Sequence, residues 1–190
     1  MDKILAEIHS YVASRVAEGF DSKEAIIEQA TECFEDEHQR DDLGPHAERI
    51  TVKLLNEHRR AQTQWTFPTD CDKLDKAFAE LDRGGIVARQ NFTCCQTCGH
   101  SEIGDEIKQA RAYREIHGYV FYHMQDTEQA CASGHLYLAY GSVEEGEEPI
   151  ANVGKRIVET LQRQGLRTDW NGSHNERVLV VGLDWKRRRS

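Results

Sequence analysis

The chain has 190 residues, 38% hydrophobic and 30% charged, which suits one large domain or a small domain with an added segment. Its formal net charge of −9 at pH 7 argues against nucleic acid and anionic membrane surfaces as partners. It lacks an apolar run long enough to span a bilayer, and the early charges Asp2 and Lys3 are atypical of a signal peptide. We therefore expect a cytoplasmic protein whose thiols stay reduced.

Residues 1–68 are predicted to form a helical amino-terminal segment. Apolar residues recur at helical spacing from Ile4 to Val16, and Gly19 is a typical helix stop. A second amphipathic helix is predicted after this glycine. Pro45 suits the first turn of a third helix that runs towards Trp65.

Residues 69–190 are predicted to form an α+β domain, because helical and strand patterns alternate there. Thr69 or Asp70 caps the first helix of this part, and Gly84 is its stop. The remaining predicted elements are strand 86–92, helix 102–116, strand 119–124, strand 136–140, a helix near 150–161, and strands 167–170 and 178–183. This order is typical of a ferredoxin-like fold, a split βαβ arrangement with an antiparallel sheet.

Four segments of this domain resemble an uncharacterised bacterial family. The segments are 69–75, 85–88, 118–123 and 136–141, and the similarity covers most of the chain. The family is catalogued only as a domain of unknown function. The resemblance therefore implies a bacterial origin and transfers no catalytic residues.

Two charged stretches invite a functional interpretation. The acidic run 32–42 is interpreted as a solvated helix surface rather than a cation site. The basic segment 186–189 is interpreted as a solvated chain end rather than a phosphate grip.

The strongest functional signal is a cluster of three cysteines within five positions. Cys95 and Cys98 have the Cys-x-x-Cys spacing of half a zinc site, and Gly99 follows them. The best spaced second pair is Cys131 with His135. In the predicted fold the end of the first strand and the hairpin 126–134 share one edge of the sheet, so we expect all four ligands to meet there.

Alternative ligands are Cys94, His100 and His123. Neighbouring residues of an extended strand point to opposite faces, so Cys94 and Cys95 are not expected to bind one ion together. Two other interpretations stay open at this point. Cys95 and Cys98 would serve a thiol enzyme or redox sensor, or the cysteines would be inert packed side chains. We expect a non-enzymatic binding module with a structural zinc ion, acting on a protein partner or a small ligand.

Overall fold

The computed structural model describes residues 2–34 and 40–189. Across these residues it contains seven helices and five strands, which confirms the predicted α+β class. The chain divides into two compact units. The described residues up to Phe67 and those from Lys186 onward form the helical unit, and Pro68–Trp185 form the α+β unit. Of the acidic run, Glu35, Asp36 and Glu37 lie outside the described residues.

The helical unit contains α1 (Asp2–Glu18), α2 (Lys23–Glu32) and α3 (Arg40–Gln62). One apolar face from each helix forms its core: Ile4, Ile8, Val12 and Val16 from α1, Ile26 and Ala30 from α2, and Leu43, Ala47 and Ile50 from α3. Helix α2 begins where the Ser22 hydroxyl accepts a hydrogen bond from the Ala25 amide at 3.1 Å. Helix α3 begins five residues earlier than predicted, so Pro45 lies inside it.

The basic segment 186–189 is part of the helical unit, so its interpretation as a solvated chain end is wrong. Arg187 is only 9% exposed, and its guanidinium lies 4.2 Å from the centroid of the Phe20 ring. Arg188 donates to the carbonyl of Trp65 just beyond α3. Arg189 donates to the carbonyl of Val16 in the last turn of α1. Arg188 and Arg189 thus satisfy backbone acceptors at or just beyond helix ends, where a positive charge is favourable.

The α+β unit contains α4 (Asp70–Arg83), β1 (Ile86–Arg89), α5 (Gln96–Arg111), β2 (Gly118–Phe121), α6 (Met124–Ser133), β3 (His135–Ser142), α7 (Glu147–Arg163), β4 (Arg167–Asp169) and β5 (Val178–Val181). The strand order is β1-β2-β3-β5-β4. Strands β1 and β2 are parallel, and the other neighbouring pairs are antiparallel. The second half of β3 pairs with β2, and its first half pairs with β5.

This order differs from the predicted ferredoxin-like topology. In the split arrangement another strand lies between the first two parallel strands, whereas here β1 is a direct neighbour of β2 and forms an edge. Both sides of β2 are already occupied, by β1 and by β3. Helix α5 therefore makes a simple crossover between adjacent parallel strands.

Two helices differ from their predicted positions. Helix α5 begins at Gln96 rather than near 102, which places the cysteine run at its amino terminus. Helix α6 occupies most of the predicted hairpin 126–134 and ends at Ser133; its C-cap Gly134 has φ 71°, the left-handed conformation favoured by glycine. Among the described residues, no helix combines the length and apolar character that crossing a bilayer requires.

Helices cover the sheet from both sides. Helix α5 contributes Ile103 to a buried cluster with Val87 of β1 and Phe121 of β2. Tyr122, which follows Phe121 in the chain, contacts Phe78 of α4 edge to face, with ring centroids 5.5 Å apart. Consecutive residues of an extended segment point to opposite faces, so α4 lies opposite α5.

Candidate thiolate metal site

Three cysteine thiols lie together where β1 passes into α5. The sulfur atoms of Cys94, Cys95 and Cys98 all lie within 4.8 Å of one another, and we call this group the thiol cluster. The Sγ atoms of Cys94 and Cys98 are 3.5 Å apart. Cys94 is exposed, and the other two are half-buried. The cluster is therefore open to solvent on one side.

The sheet topology explains the position of the thiol cluster. Because β1 and β2 are parallel, their carboxyl ends lie at the same edge of the sheet. The Phe92 amide donates to the Tyr122 carbonyl at 2.8 Å, and the Met124 amide donates to the Thr93 carbonyl at 3.1 Å. These bonds place the starts of α5 and α6 side by side. Such an edge of parallel strands is a common location for ligand sites.

The loop between β1 and α5, residues 90–95, carries two of the three cysteines and has an unusual backbone. Asn91 has φ 50° and Thr93 has φ 61°, both in the left-handed region. Asparagine tolerates this conformation, but a β-branched residue such as threonine is a genuine outlier there. Strain of this kind costs about 1–3 kcal/mol for a residue and is concentrated at functional sites. The turn at Thr93 also explains why Cys94 and Cys95 belong to one cluster, since the segment is not a regular strand.

Gly99 allows α5 to approach the sheet closely beside the cluster. A Cβ atom at this position would lie 2.4 Å from Cε2 and 2.7 Å from Cζ of Phe121. Phe121 is fully buried in β2. Only a residue without a side chain fits this contact, so Gly99 sets the height of the first turn of α5 above the sheet.

The pKa values of Cys95 and Cys98 are shifted in opposite directions. The pKa of Cys95 is lowered, first by the backbone N–H of Cys98 and then by the thiols of Cys98 and Cys94. Cys95 is the N-cap of α5, where the helix dipole also favours negative charge. The pKa of Cys98 is raised to about 11, first by its hydrogen bond with the Cys94 thiol and then by that with Cys95. Cys98 therefore retains its proton above the pH at which Cys95 loses its own.

The structure brings Cys95 and Cys98 together but adds Cys94 rather than Cys131 and His135. Among the described residues, neither Cys131 nor His135 belongs to a group of three metal-ligating residues within 4.8 Å. Cys131 is seven residues beyond the start of α6, or about 10 Å along the helix. His135 pairs with Val181 and lies four residues before Ala139, the partner of Phe121, or about 13 Å along β3.

Neither alternative histidine joins the cluster. His100 lies on α5 with its Nδ1 atom 3.4 Å from the Tyr119 hydroxyl, and desolvation beside the aromatic rings lowers its pKa. His123 is 5% exposed and caps α6. Its Nδ1 accepts from the Asp126 amide at 3.3 Å, and its Nε2 lies 3.0 Å from the Asp126 carboxylate. With both ring nitrogens engaged, His123 is a helix cap.

Two side-chain contacts made by α6 were not predicted from the sequence, although Asp126 itself is a candidate there for an acid/base group, a metal ligand or a cap. The Asp126 carboxylate accepts from Arg177 Nη2 at 2.6 Å, and that guanidinium also lies over the Tyr137 ring. The hydroxyl of Thr127, which is fully buried, donates to Asn91 Oδ1 at 2.7 Å. These partners are 51 and 36 residues apart in the chain, so no local spacing signals them.

The fold and the site together define an α+β protein that carries a solvent-facing cluster of three thiols at the edge of a parallel strand pair. A family model described as a domain of unknown function, DUF6891, matches residues 1–189. The chain belongs to this family, which confirms the resemblance to a family of unknown function. No curated protein and no solved structure matches the chain.

Proposed function

We propose that the chain is a metal-binding module that holds one thiophilic ion, zinc in the first instance, through Cys94, Cys95 and Cys98. The observation that carries the proposal is the mutual separation of their sulfur atoms, at most 4.8 Å. With a Zn–S bond of about 2.3 Å, two sulfurs on one ion lie at most about 4.6 Å apart, and about 3.8 Å apart in a tetrahedron. Small side-chain rotations therefore suffice for all three to bind one ion.

The donor set supports a soft metal. Thiolates favour zinc and Cu(I), whereas magnesium and calcium favour oxygen ligands. All three proposed ligands belong to residues 94–98, so the ion would fix the loop to the first turn of α5. This differs from a clamp between remote segments, which pairing with Cys131 and His135 would have required.

A zinc site with three protein ligands keeps its fourth position for water or an outside ligand. The exposure of Cys94 leaves the solvent side free for such a ligand. We propose a non-enzymatic role in the bacterial cytoplasm, in which a protein partner or a small ligand binds at or beside the ion. The metal contributes stability to the loop by coordination.

The test is the metal content of the full chain, purified under reducing conditions and measured by elemental analysis. We expect one equivalent of zinc in the wild type and loss of tight binding in Cys94→Ser, Cys95→Ser and Cys98→Ser. Cys131→Ser and Cys33→Ser are matched controls, because each removes a thiol outside the cluster, and both should retain one equivalent. A wild-type protein that binds no zinc, or loss of zinc in Cys131→Ser, would overturn the proposal.

The second candidate function is dithiol–disulfide exchange, as in a thiol enzyme or redox sensor at Cys95 and Cys98. It is supported by the placement of Cys95 as N-cap and Cys98 in the first turn of α5, with the Cys94 sulfur 3.5 Å from that of Cys98. Two thiols would pass two electrons and two protons to a disulfide substrate, which becomes two thiols. A metal-free wild type that forms an internal disulfide with such a substrate would favour this function. A metal-free protein with unreactive thiols would indicate inert cysteines.

A further inference from the structure

We infer that Thr127 is a positioning residue for the thiol cluster, acting through Asn91. The inference rests on the proposed metal site. A buried hydroxyl on α6 holds the loop 90–95 in the conformation that brings the three sulfurs together. The metal affinity would then depend on a residue that touches none of the ligands.

The Thr127 side chain is the buried partner in this contact. Its residue is 0% exposed, and its hydroxyl donates to Asn91 Oδ1 at 2.7 Å. The His123 carbonyl is a second acceptor for the same hydroxyl at 3.3 Å. The shorter bond to Asn91 is the one that links two segments, since His123 is one turn away on the same helix.

Asn91 is the residue where the loop first turns into the left-handed region. It has φ 50°, and two residues later Thr93 has φ 61°. Cys94 follows at once, so the direction of its side chain depends on both turns. A backbone conformation that a free chain rarely populates persists only where its surroundings hold it.

The other hydrogen bonds of the loop fix where it lies more than they fix its left-handed backbone conformation. The Phe92 amide bonds to the Tyr122 carbonyl, and the Thr93 carbonyl accepts from the Met124 amide. The Thr93 hydroxyl donates to the carbonyl of Cys95 at 3.1 Å, within the loop itself. The Thr127–Asn91 bond joins a loop side chain to a side chain on a helix. Gln90, at the start of the loop, likewise donates to Asp75 of α4 at 2.9 Å, but it precedes both left-handed residues. The Thr127–Asn91 bond acts on the first of these residues, and a substitution can remove it without changing a ligand.

The experiment measures cobalt and zinc binding to the full chain. Thr127→Val removes the hydroxyl and keeps a similar shape, and we expect it to weaken zinc binding about 2- to 10-fold, the effect of losing one hydrogen bond that holds the loop in its binding conformation. Cobalt is the spectroscopic probe, because its sulfur-to-metal absorption reports how many thiolates bind. We expect that absorption to fall in Thr127→Val and to recover in Thr127→Ser, which restores the donor.

Thr160→Val is the matched control. Thr160 is 4% exposed in α7, and its hydroxyl donates to the Arg156 carbonyl of its own helix at 2.8 Å. Its substitution should lower stability similarly and leave metal affinity at the wild-type value. Asn91→Gly is a second probe if Thr127→Val folds poorly, because glycine accepts positive φ and lacks the side-chain acceptor. In the double variant Thr127→Val with Asn91→Gly, affinity should fall no further than in either single variant.

Each outcome separates the inference from the proposed function. A wild type that binds neither zinc nor cobalt refutes the metal site itself. A wild type that binds, with Thr127→Val and Asn91→Gly binding equally well, leaves the metal site intact and overturns the positioning role. Equal weakening in Thr127→Val and Thr160→Val would also overturn it, because the effect would then follow general stability.

Discussion

The contact between Gly99 and Phe121 gives a prediction whose size follows from the structure. In Gly99→Ala the new Cβ would meet Phe121 ring carbons at 2.4 and 2.7 Å, whereas non-bonded carbons rest at about 3.5–4.0 Å. The ring or the helix must therefore move by about 1 Å in a core that has no free space. Overpacking of this kind costs about 1–3 kcal/mol.

Gly104→Ala is the control in the same helix. Apart from its chain neighbours and the backbone of its own helix, no atom lies within 4 Å of its ideal Cβ, so alanine there brings only its helix propensity, which favours folding by about 1 kcal/mol relative to glycine. The same propensity gain applies to Gly99→Ala and cancels in the comparison. The two variants should therefore differ in unfolding free energy by the overpacking cost alone.

Thermal unfolding followed by calorimetry measures this difference. A change of 1 kcal/mol shifts Tm by about 2–4 °C in a chain of this size, so Gly99→Ala should unfold several degrees below Gly104→Ala. The Gly99 variant should also bind zinc more weakly, because the first turn of α5 carries Cys98. Equal Tm values for the two variants would refute the close-contact argument.

Arg187→Ala should destabilise the helical unit by about 2 kcal/mol, because it removes a desolvated guanidinium from the Phe20 ring. Thermal unfolding followed by circular dichroism tests this, and an unchanged Tm would contradict it. Thr69→Ala should cost about 1 kcal/mol in urea unfolding, because the Thr69–Asp72 capping box of α4 is lost, whereas Thr69→Ser should stay near wild type. Burial lowers the pKa of His123, with Asp126 opposing in part, so its contribution to stability is present above the ordinary pKa of 6.5 and is lost as the pH falls below it. In His123→Asn the decline of the urea midpoint between about pH 7 and pH 5 should be shallower, and an identical decline would count against this assignment.

Local sequence patterns predicted the elements whose signals are contained within one turn or one face. Thr69 does cap α4, and Gly19 lies directly beyond the end of α1, because capping and helix stops depend on neighbouring residues. The first turn of α5 was missed because cysteine and glycine are weak helix formers. Glycine is required at position 99 because the Phe121 ring lies close to it, and that ring is 22 positions away in the sequence and gives no local signal.

The candidate site was predictable only in part for the same reason. The proximity of Cys95 and Cys98 follows from their spacing at a helix start. Cys94 joins the thiol cluster because the backbone is left-handed at Thr93, a conformation that the backbone preferences of threonine do not predict. The separation of His135 from the cluster depends on strand register, since β3 extends past the end of β2 to pair with β5. The pairing of strands that are far apart in the sequence leaves no signal in a short stretch of residues.

The helical unit is discontinuous, and this has a consequence for biosynthesis. Trp65 and Arg188, which share a hydrogen bond, are 123 positions apart, with the whole α+β unit translated between them. Helices α1–α3 leave the ribosome before the α+β unit, and their ends are covered only after residues 186–189 have been translated. The entropic cost of closing so long a loop grows slowly with length, but such remote contacts slow folding. Nascent chains halted after α7 should therefore hold a helical unit that proteases cleave more readily than in the released protein.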